Sequence, residues 1–206
     1  MPKAPSGNPR GRPRAFCEEQ ALDAAMRVFS EKGYEAASLS DLTSAMGINR
    51  FSMYATFGNK EALFVKAMDR FTGGVTSHLD ATLAEGTARD SIERMLLESV
   101  SIFTAAEGPG LCFVTQAPLT APEVSEATKQ FVARKRGVVE LGLRKRLDRA
   151  FQEGELPVDV STASLARFYA VMIQGIALQA HHGGTRDELL AVVDVAMAKW
   201  PSKASL

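Results

Sequence analysis

Residues 38–57, Ser-Leu-Ser-Asp-Leu-Thr-Ser-Ala-Met-Gly-Ile-Asn-Arg-Phe-Ser-Met-Tyr-Ala-Thr-Phe, read as two short helices joined at Gly47. Ser38 and Asp41 form a capping box for the first. Leu39, Leu42 and Met46 give it a buried face, and Gly47 supplies the left-handed backbone of a sharp turn. The second runs from about Asn49 to Thr56, with Met53 and Phe57 pointing inward. Helices this short are unstable alone in water. They must therefore pack on helices before and after them in the chain, which restricts the molecule to a small helical head built into a larger body.

The preceding helix is expected over about Glu18 to Lys32. There Leu22, Ala25, Met26 and Phe29 recur at i, i+3, i+4 and i+7, and Gly33 stands at the C-terminal cap. Asn59 is placed to cap a fourth helix, Lys60 to about Phe71. Beyond Gly73-Gly74 helical signals continue, with His78 to Leu83 either extending a helix or linking two. Helices are expected over Arg89 to Ala106, about Pro122 to Gln152, Ser161 to His182 and Arg186 to Lys199. Gly108-Pro109-Gly110, Gly154 with Pro157, Gly183-Gly184 and Pro201 are the breaks. Leu111 to Pro118 is a short apolar segment. No alternating strand pattern of useful length and no internal repeat occurs. The expected fold is all-α: a basic arm (1–14), a three-helix head (15–60) and a helical C-terminal body (61–206).

Two helices joined at a glycine, the second exposing polar residues at its start, are the layout of a helix-turn-helix, whose second helix enters the DNA major groove. Arg50 can donate two hydrogen bonds to guanine. Asn49 can cap its helix or reach adenine. Phe51 can offer only apolar contact, with the thymine methyl as its natural target. Ser52 is small enough to approach a base edge or phosphate. Tyr54, Lys60 and Thr43 are candidate phosphate contacts, fixing register without reading sequence.

Net charge is zero, but residues 1–14 hold Lys3, Arg10, Arg12 and Arg14 and no acid, so the remainder carries −4. That asymmetry places a nucleic-acid-facing end on an otherwise acidic chain. Gly11-Arg12-Pro13-Arg14 is similar to an AT-hook core, in which Arg12 and Arg14 can enter a narrow minor groove. The alternative is a flexible basic tail that contributes through counterion release.

Between Ala21 and Phe64 the chain resembles the TetR family of one-component regulators. The residues concerned are Phe29-Ser30-Glu31-Lys32-Gly33-Tyr34, Ser38 to Leu42, Gly47 to Arg50, Met53 to Phe57 and Asn59 to Phe64. Over the rest of the chain the likeness extends only to helix count and order. The resemblance implies a homodimer paired through the last two long helices, about 161–199. It also implies a transcriptional regulator of the repressor type that binds a pseudo-palindromic operator in duplex DNA and is relieved by a ligand. Thr56 stands where an aromatic or histidine is commoner in that family, and Phe51 is bulky for a groove-facing site.

Met95, Ser99, Phe103, Cys112, Phe113, Gln116, Phe131, Phe168 and Met172 are candidates to line a cavity for a small-molecule effector, since apolar walls with few polar groups suit such sites. The same residues can equally be plain core. Arg134, Lys135, Arg136, Arg144, Lys145, Arg146 and Arg149 are expected to form a solvated face. His181 and His182 are adjacent and cannot chelate as an i, i+4 pair, so no metal or cofactor is expected. Cys17 and Cys112 form no framework, which fits a reducing cytoplasm. Leu165 to Ala180 contains Arg167, Gln174 and Gln179 and is read as a buried helix, not a membrane span. The chain offers neither a paired histidine and carboxylate at motif spacing nor a phosphate-cradling glycine loop, so an enzyme is not expected.

Overall fold

The computed structural model describes residues 17–105 and 124–201. In order these form α1 (Glu18–Ala36), α2 (Leu39–Ala45), α3 (Arg50–Phe57), α4 (Lys60–Ala84), α5 (Ala88–Phe103), α6 (Glu126–Arg136), α7 (Val138–Gln152), α8 (Thr162–His181) and α9 (Arg186–Ala198). The described residues contain no strand. The basic arm, the Gly108-Pro109-Gly110 break and the Leu111 to Pro118 segment lie outside them.

Short-range chemistry opens most of these helices. Side-chain oxygens of Ser38, Asn49, Asn59, Thr87, Ser125, Ser161 and Thr185 each accept a backbone N–H of the first turn. Gly33, at φ 77°, breaks α1 before its last turn. That agrees with its expected capping role, since a side chain at that φ is strained.

The helices enclose two apolar cores. The first joins α1, α2, α3 and the start of α4, and takes in Val124 and Val132. At its centre the ring of Phe64 meets Phe29 edge-on at 5.2 Å and Tyr34 at 5.1 Å, a favoured aromatic geometry. The second core joins the end of α4 with α5, α7, α8 and α9 around Tyr169, Leu143 and Ile92. α4 contributes to both, and at 1.5 Å per residue it is roughly 38 Å long.

Two expectations are corrected here. α4 does not end at Phe71 but runs through Gly73-Gly74 to Ala84. Buried contacts on either side, Met68 and Thr72 before the glycines and Leu79 after them, outweigh the poor helix propensity of the pair, about 1 kcal/mol each. Conversely, the single helix expected over about 122–152 is two. At Gly137 the N–H bonds back to Arg134 O at 3.1 Å instead of four residues back, which ends α6. α6 thereby lies on the first core and α7 packs between α4 and α8.

The α4–α7 crossing depends on Gly142. A Cβ there would collide with Leu79 Cδ2, and Leu79 is itself buried. Gly142→Ala is expected to cost about 1–3 kcal/mol through overpacking, measured as a drop in urea-denaturation stability. An unchanged midpoint would mean that Leu79 can move aside freely.

Candidate nucleic-acid interface

The head is assembled from local bonds. Asp41 N–H donates to Ser38 Oγ at 3.1 Å, and Ser38 N–H to Asp41 Oδ2 at 3.0 Å, completing the capping box. At the other end of α2, Gly47 N–H reaches Ser44 O and Ile48 N–H reaches Thr43 O. This is a Schellman closure that needs the left-handed Gly47, φ 65°. Asn49 Oδ1 then accepts Ser52 N–H at 2.8 Å and starts α3 only two residues after the turn.

One face of α3 is sealed: Met53 and Phe57 are buried in the first core. The other carries Arg50, exposed, Phe51, 83% exposed, and Tyr54, 49% exposed. Lys66 Nζ closes the helix by donating to Thr56 O at 3.0 Å. The result is a short convex rod whose first turn bears an arginine fork and an aromatic ring in open solvent. Water disfavours an exposed phenyl ring, so the ring calls for an apolar partner.

The other sequence candidates take several positions. Asn49 is exposed and its oxygen is committed to the cap, leaving the amide nitrogen as the donating group. Ser52 is half-buried. Thr43 is mostly buried, and its hydroxyl donates to Leu39 O at 2.8 Å, so only its oxygen lone pairs remain for outside contacts. Lys60 Nζ donates to Glu35 O at 3.3 Å and sits 4.6 Å from the Tyr34 ring centroid. It therefore ties α4 to the end of α1 besides offering charge. Arg12 and Arg14 lie outside the described residues.

The orientation of α2 rests partly on charge. The Lys32 ammonium at 2.7 Å and the Ser38 hydroxyl and N–H hold the Asp41 carboxyl down at about 2. A depressed carboxylate stabilises the fold above its unfolded pKa, near 4, and loses that contribution as pH falls toward the folded value. Asp41→Asn should therefore melt at a lower temperature than the parent at pH 6. The gap should close between pH 4 and pH 2; a gap constant down to pH 2 would remove Asp41 from the account.

A second feature lies between the two cores: a cavity of about 830 Å³, within the range of small-molecule sites. Phe71, Val75 and Leu79 of α4, Ile102 of α5, Val139 of α7 and Ile173 of α8 give it apolar walls. Of the sequence candidates, Met95, Ser99 and Phe103 line it. Phe131 packs on the first core and Met172 on the second. Phe168 faces outward, because the inward phase of α8 runs through Ala166, Tyr169, Ala170 and Ala177. Cys112, Phe113 and Gln116 lie outside the described residues. The α4 and α7 walls escape a reading that ends α4 at Phe71 and joins α6 to α7. The usable signal is the apolar i, i+4, i+8 series Phe71, Val75, Leu79, which continues across the glycines.

The expected solvated basic face is also corrected. The Arg146 side chain is 2% exposed, donating Nη2 to Gly86 O and to Glu155 Oε1, both at 2.9 Å. Glu155 in turn caps the N-terminus of α5 by accepting Ala88 N–H. Lys135 pairs with Asp69 at 2.6 Å and Arg144 with Asp148 at 2.8 Å. His78 Nε2 lies 2.9 Å from Glu98 Oε2. His181 and His182 are both exposed, and among the described residues no three His, Cys, Asp or Glu side chains converge as a metal site. No helix among the described residues is long and apolar enough to cross a membrane.

On the outer side of α8 and α9, Phe168, Val171, Leu178, Val192 and Val195 form an exposed apolar face. Such contiguous patches mark interaction sites.

Comparison with known proteins converges on the head and extends over the body. The family model described as bacterial regulatory proteins, tetR family, matches residues 21–67. The HTH-type transcriptional repressor ComR of Escherichia coli (strain K12) is 30% identical over 93% of this chain and 92% of its own. The HTH-type transcriptional repressor BdcR of the same organism is 44% identical over 63 residues, 31% of this chain and 32% of its own. Among solved structures, a cysteine mutant of the TetR family transcriptional regulator CifR, complexed with 26 bp double-strand operator DNA, is 40% identical. It covers 92% of this chain and 100% of that one, with a TM-score of 0.86.

Proposed function

Because the chain belongs to the TetR family of bacterial regulatory proteins, we propose that it is a repressor that binds a pseudo-palindromic operator as a homodimer and leaves it when a small molecule occupies the cavity. It is a DNA-binding regulator, not an enzyme. One observation carries the reading of its site: Arg50 and Phe51 stand in solvent on a helix whose opposite face, Met53 and Phe57, is locked in the core. That arrangement suits major-groove entry, with Arg50 on guanine, Phe51 on a thymine methyl, and Asn49 and Ser52 beside them. Tyr54, Lys60 and Thr43 are assigned to the phosphate backbone and Arg12 and Arg14 of the arm to the minor groove. The DNA-reading head is taken as residues 15–60 and the body as 61–206, with a cytoplasmic location.

The α8–α9 apolar face is the proposed dimer contact, since pairing it with its symmetry mate removes it from water and presents α3 twice. Two struts run from the cavity to the head. α4 lines the cavity at Phe71–Leu79 and starts at the head with Lys60. α6 lines it through Lys135 and Arg136, while Ser125 at its other end donates N–H and Oγ–H at 3.0 and 2.5 Å to Oε1 of Glu61, the residue of α4 that follows the head. A ligand that shifts either strut changes the spacing of the two α3 helices. A coupling of about 1–3 kcal/mol changes affinity roughly 5- to 150-fold.

Selection of bound duplexes from a random pool tests the proposal. The expected result is an enriched inverted repeat, with enrichment lost in the presence of one metabolite mixture. No enrichment at low salt would overturn the DNA reading.

A further inference from the structure

We infer that the cavity takes an uncharged, largely apolar molecule with one hydrogen-bonding group, its body lying between α4, α5 and α8 and that group on the carboxamide of Gln174. The inference rests on reading this cavity as the effector site and names the chemistry of the effector.

Phe71, Val75 and Leu79 of α4, Ile102 and Phe103 of α5 and Ile173 of α8 give the wall a broad apolar surface. The hydroxyls on it are turned into their own helices: Thr72 donates to Met68 O and Ser99 to Met95 O, both at 2.8 Å. His78, also on the wall, has its Nε2 2.9 Å from Glu98 Oε2.

The charges on the wall are engaged as well. Asp23 receives Arg70 Nε at 2.7 Å and Nη2 at 3.0 Å. Lys135 Nζ lies 2.6 Å from Asp69 Oδ1 and 5.2 Å from the Phe131 ring centroid. Neither Asp69 nor Phe131 belongs to the wall. The ammonium is therefore drawn off the cavity, and the methylene stem of Lys135 is left to line it. Arg136 has an interaction of its own. An ionic ligand would have to take a partner from one of these groups. That would leave a protein charge unpaired beside an apolar surface, which is costly. A neutral molecule leaves every pair intact.

Gln174 is the exception. It lines the cavity together with Ala170, Ile173 and Ala177 of the same helix. Alone among the polar side chains of the wall, it has no hydrogen-bond partner among the described residues. A carboxamide both donates and accepts, so it matches a hydroxyl or a carbonyl on the ligand. The apolar body then bears on Phe71, Val75 and Leu79, the stretch of α4 that leads back to the head.

The test is titration calorimetry on the full chain with three probes of one chain length: 1-decanol, decanoate and decyltrimethylammonium. 1-Decanol should bind at least about tenfold more tightly than either ion. Gln174→Leu, a change at an exposed position, should lower the 1-decanol affinity about 3- to tenfold, the scale of one hydrogen bond. Val75→Trp fills the cavity and should abolish 1-decanol binding, which separates the cavity from the exposed α8–α9 face. Ile173→Trp is the second filling variant should Val75→Trp fail to give a cooperative melt. Equal or tighter binding of either ion overturns the uncharged assignment and leaves the cavity as an effector site. An unchanged affinity in Gln174→Leu overturns the contact with Gln174. Binding of 1-decanol that survives filling of the cavity, or binding of none of the three probes, overturns the inference as a whole. The effector reading is judged apart from it by the DNA selection. A charged metabolite that abolishes enrichment sinks the inference and keeps that reading, whereas enrichment that no mixture abolishes removes the effector site itself.

Discussion

Replacing Val171 and Val195 together by glutamate is expected to give a monomer and to lower operator affinity by about a hundredfold or more, the scale of losing one of two half-site contacts. Both side chains are well exposed in the protomer, 58% and 67%, so the substitutions leave its core intact. In a dimer paired through α8 and α9 the same positions become buried. A carboxylate taken out of water without a partner costs several kcal/mol, and four of them would meet across the symmetry axis. Each monomer would then grip DNA through one eight-residue α3. Sedimentation velocity reports the mass and fluorescence anisotropy the affinity, with a cooperative thermal melt and unchanged helical circular dichroism of the variant as the folding control. A double variant that stays dimeric would place the interface elsewhere.

Arg50→Ala is expected to remove preference at one base pair in each half-site. A bidentate arginine–guanine contact discriminates by about 1–3 kcal/mol. Two copies per operator therefore give about 2–6 kcal/mol, or roughly 30- to 10⁴-fold. The side chain is exposed and α3 is capped by Asn49 and closed by Lys66, so the melting temperature should not move. Repeating the DNA selection with the variant reads this directly: degeneracy should appear at one position per half-site with the rest of the repeat intact. Lys60→Ala forms the contrast. It should weaken all sequences alike and also lower the melting temperature, because Lys60 holds Glu35 O and the Tyr34 ring as well as any phosphate. An Arg50→Ala protein that selects the parental repeat unchanged would remove Arg50 from base recognition.

Much of the head is legible in the sequence. Ser38, Asp41, Gly47, Asn49 and Asn59 act within three to five residues of themselves, through caps and a positive-φ turn. Their chemistry is complete in the local sequence, and Met53 and Phe57 take their places by helical phase. The cavity is only half legible. Met95, Ser99 and Phe103 sit on the inner phase of α5, where periodicity points to them. Phe168 and Met172 are not among its walls, because an apolar residue on a helix with more than one apolar face, as α8 is, does not declare which face meets the cavity. Phe131 packs on the first core instead, a contact that depends on where α6 lies and not on its local sequence. Arg146 reads as solvated because nothing local announces Glu155 and Gly86 O as its partners.

What the sequence determined by itself was the all-α class, the capped helix–turn–helix and the residues its second helix offers to solvent. These depend on hydrogen bonds and periodicities that span one or two turns. Only the tertiary structure decided that α4 continues through Gly73-Gly74, that the chain turns at Gly137, and that a cavity opens between two cores. Helix propensities differ by about 1 kcal/mol per residue, less than the packing of Met68, Thr72 and Leu79 supplies, so burial overrides the local signal wherever the two conflict.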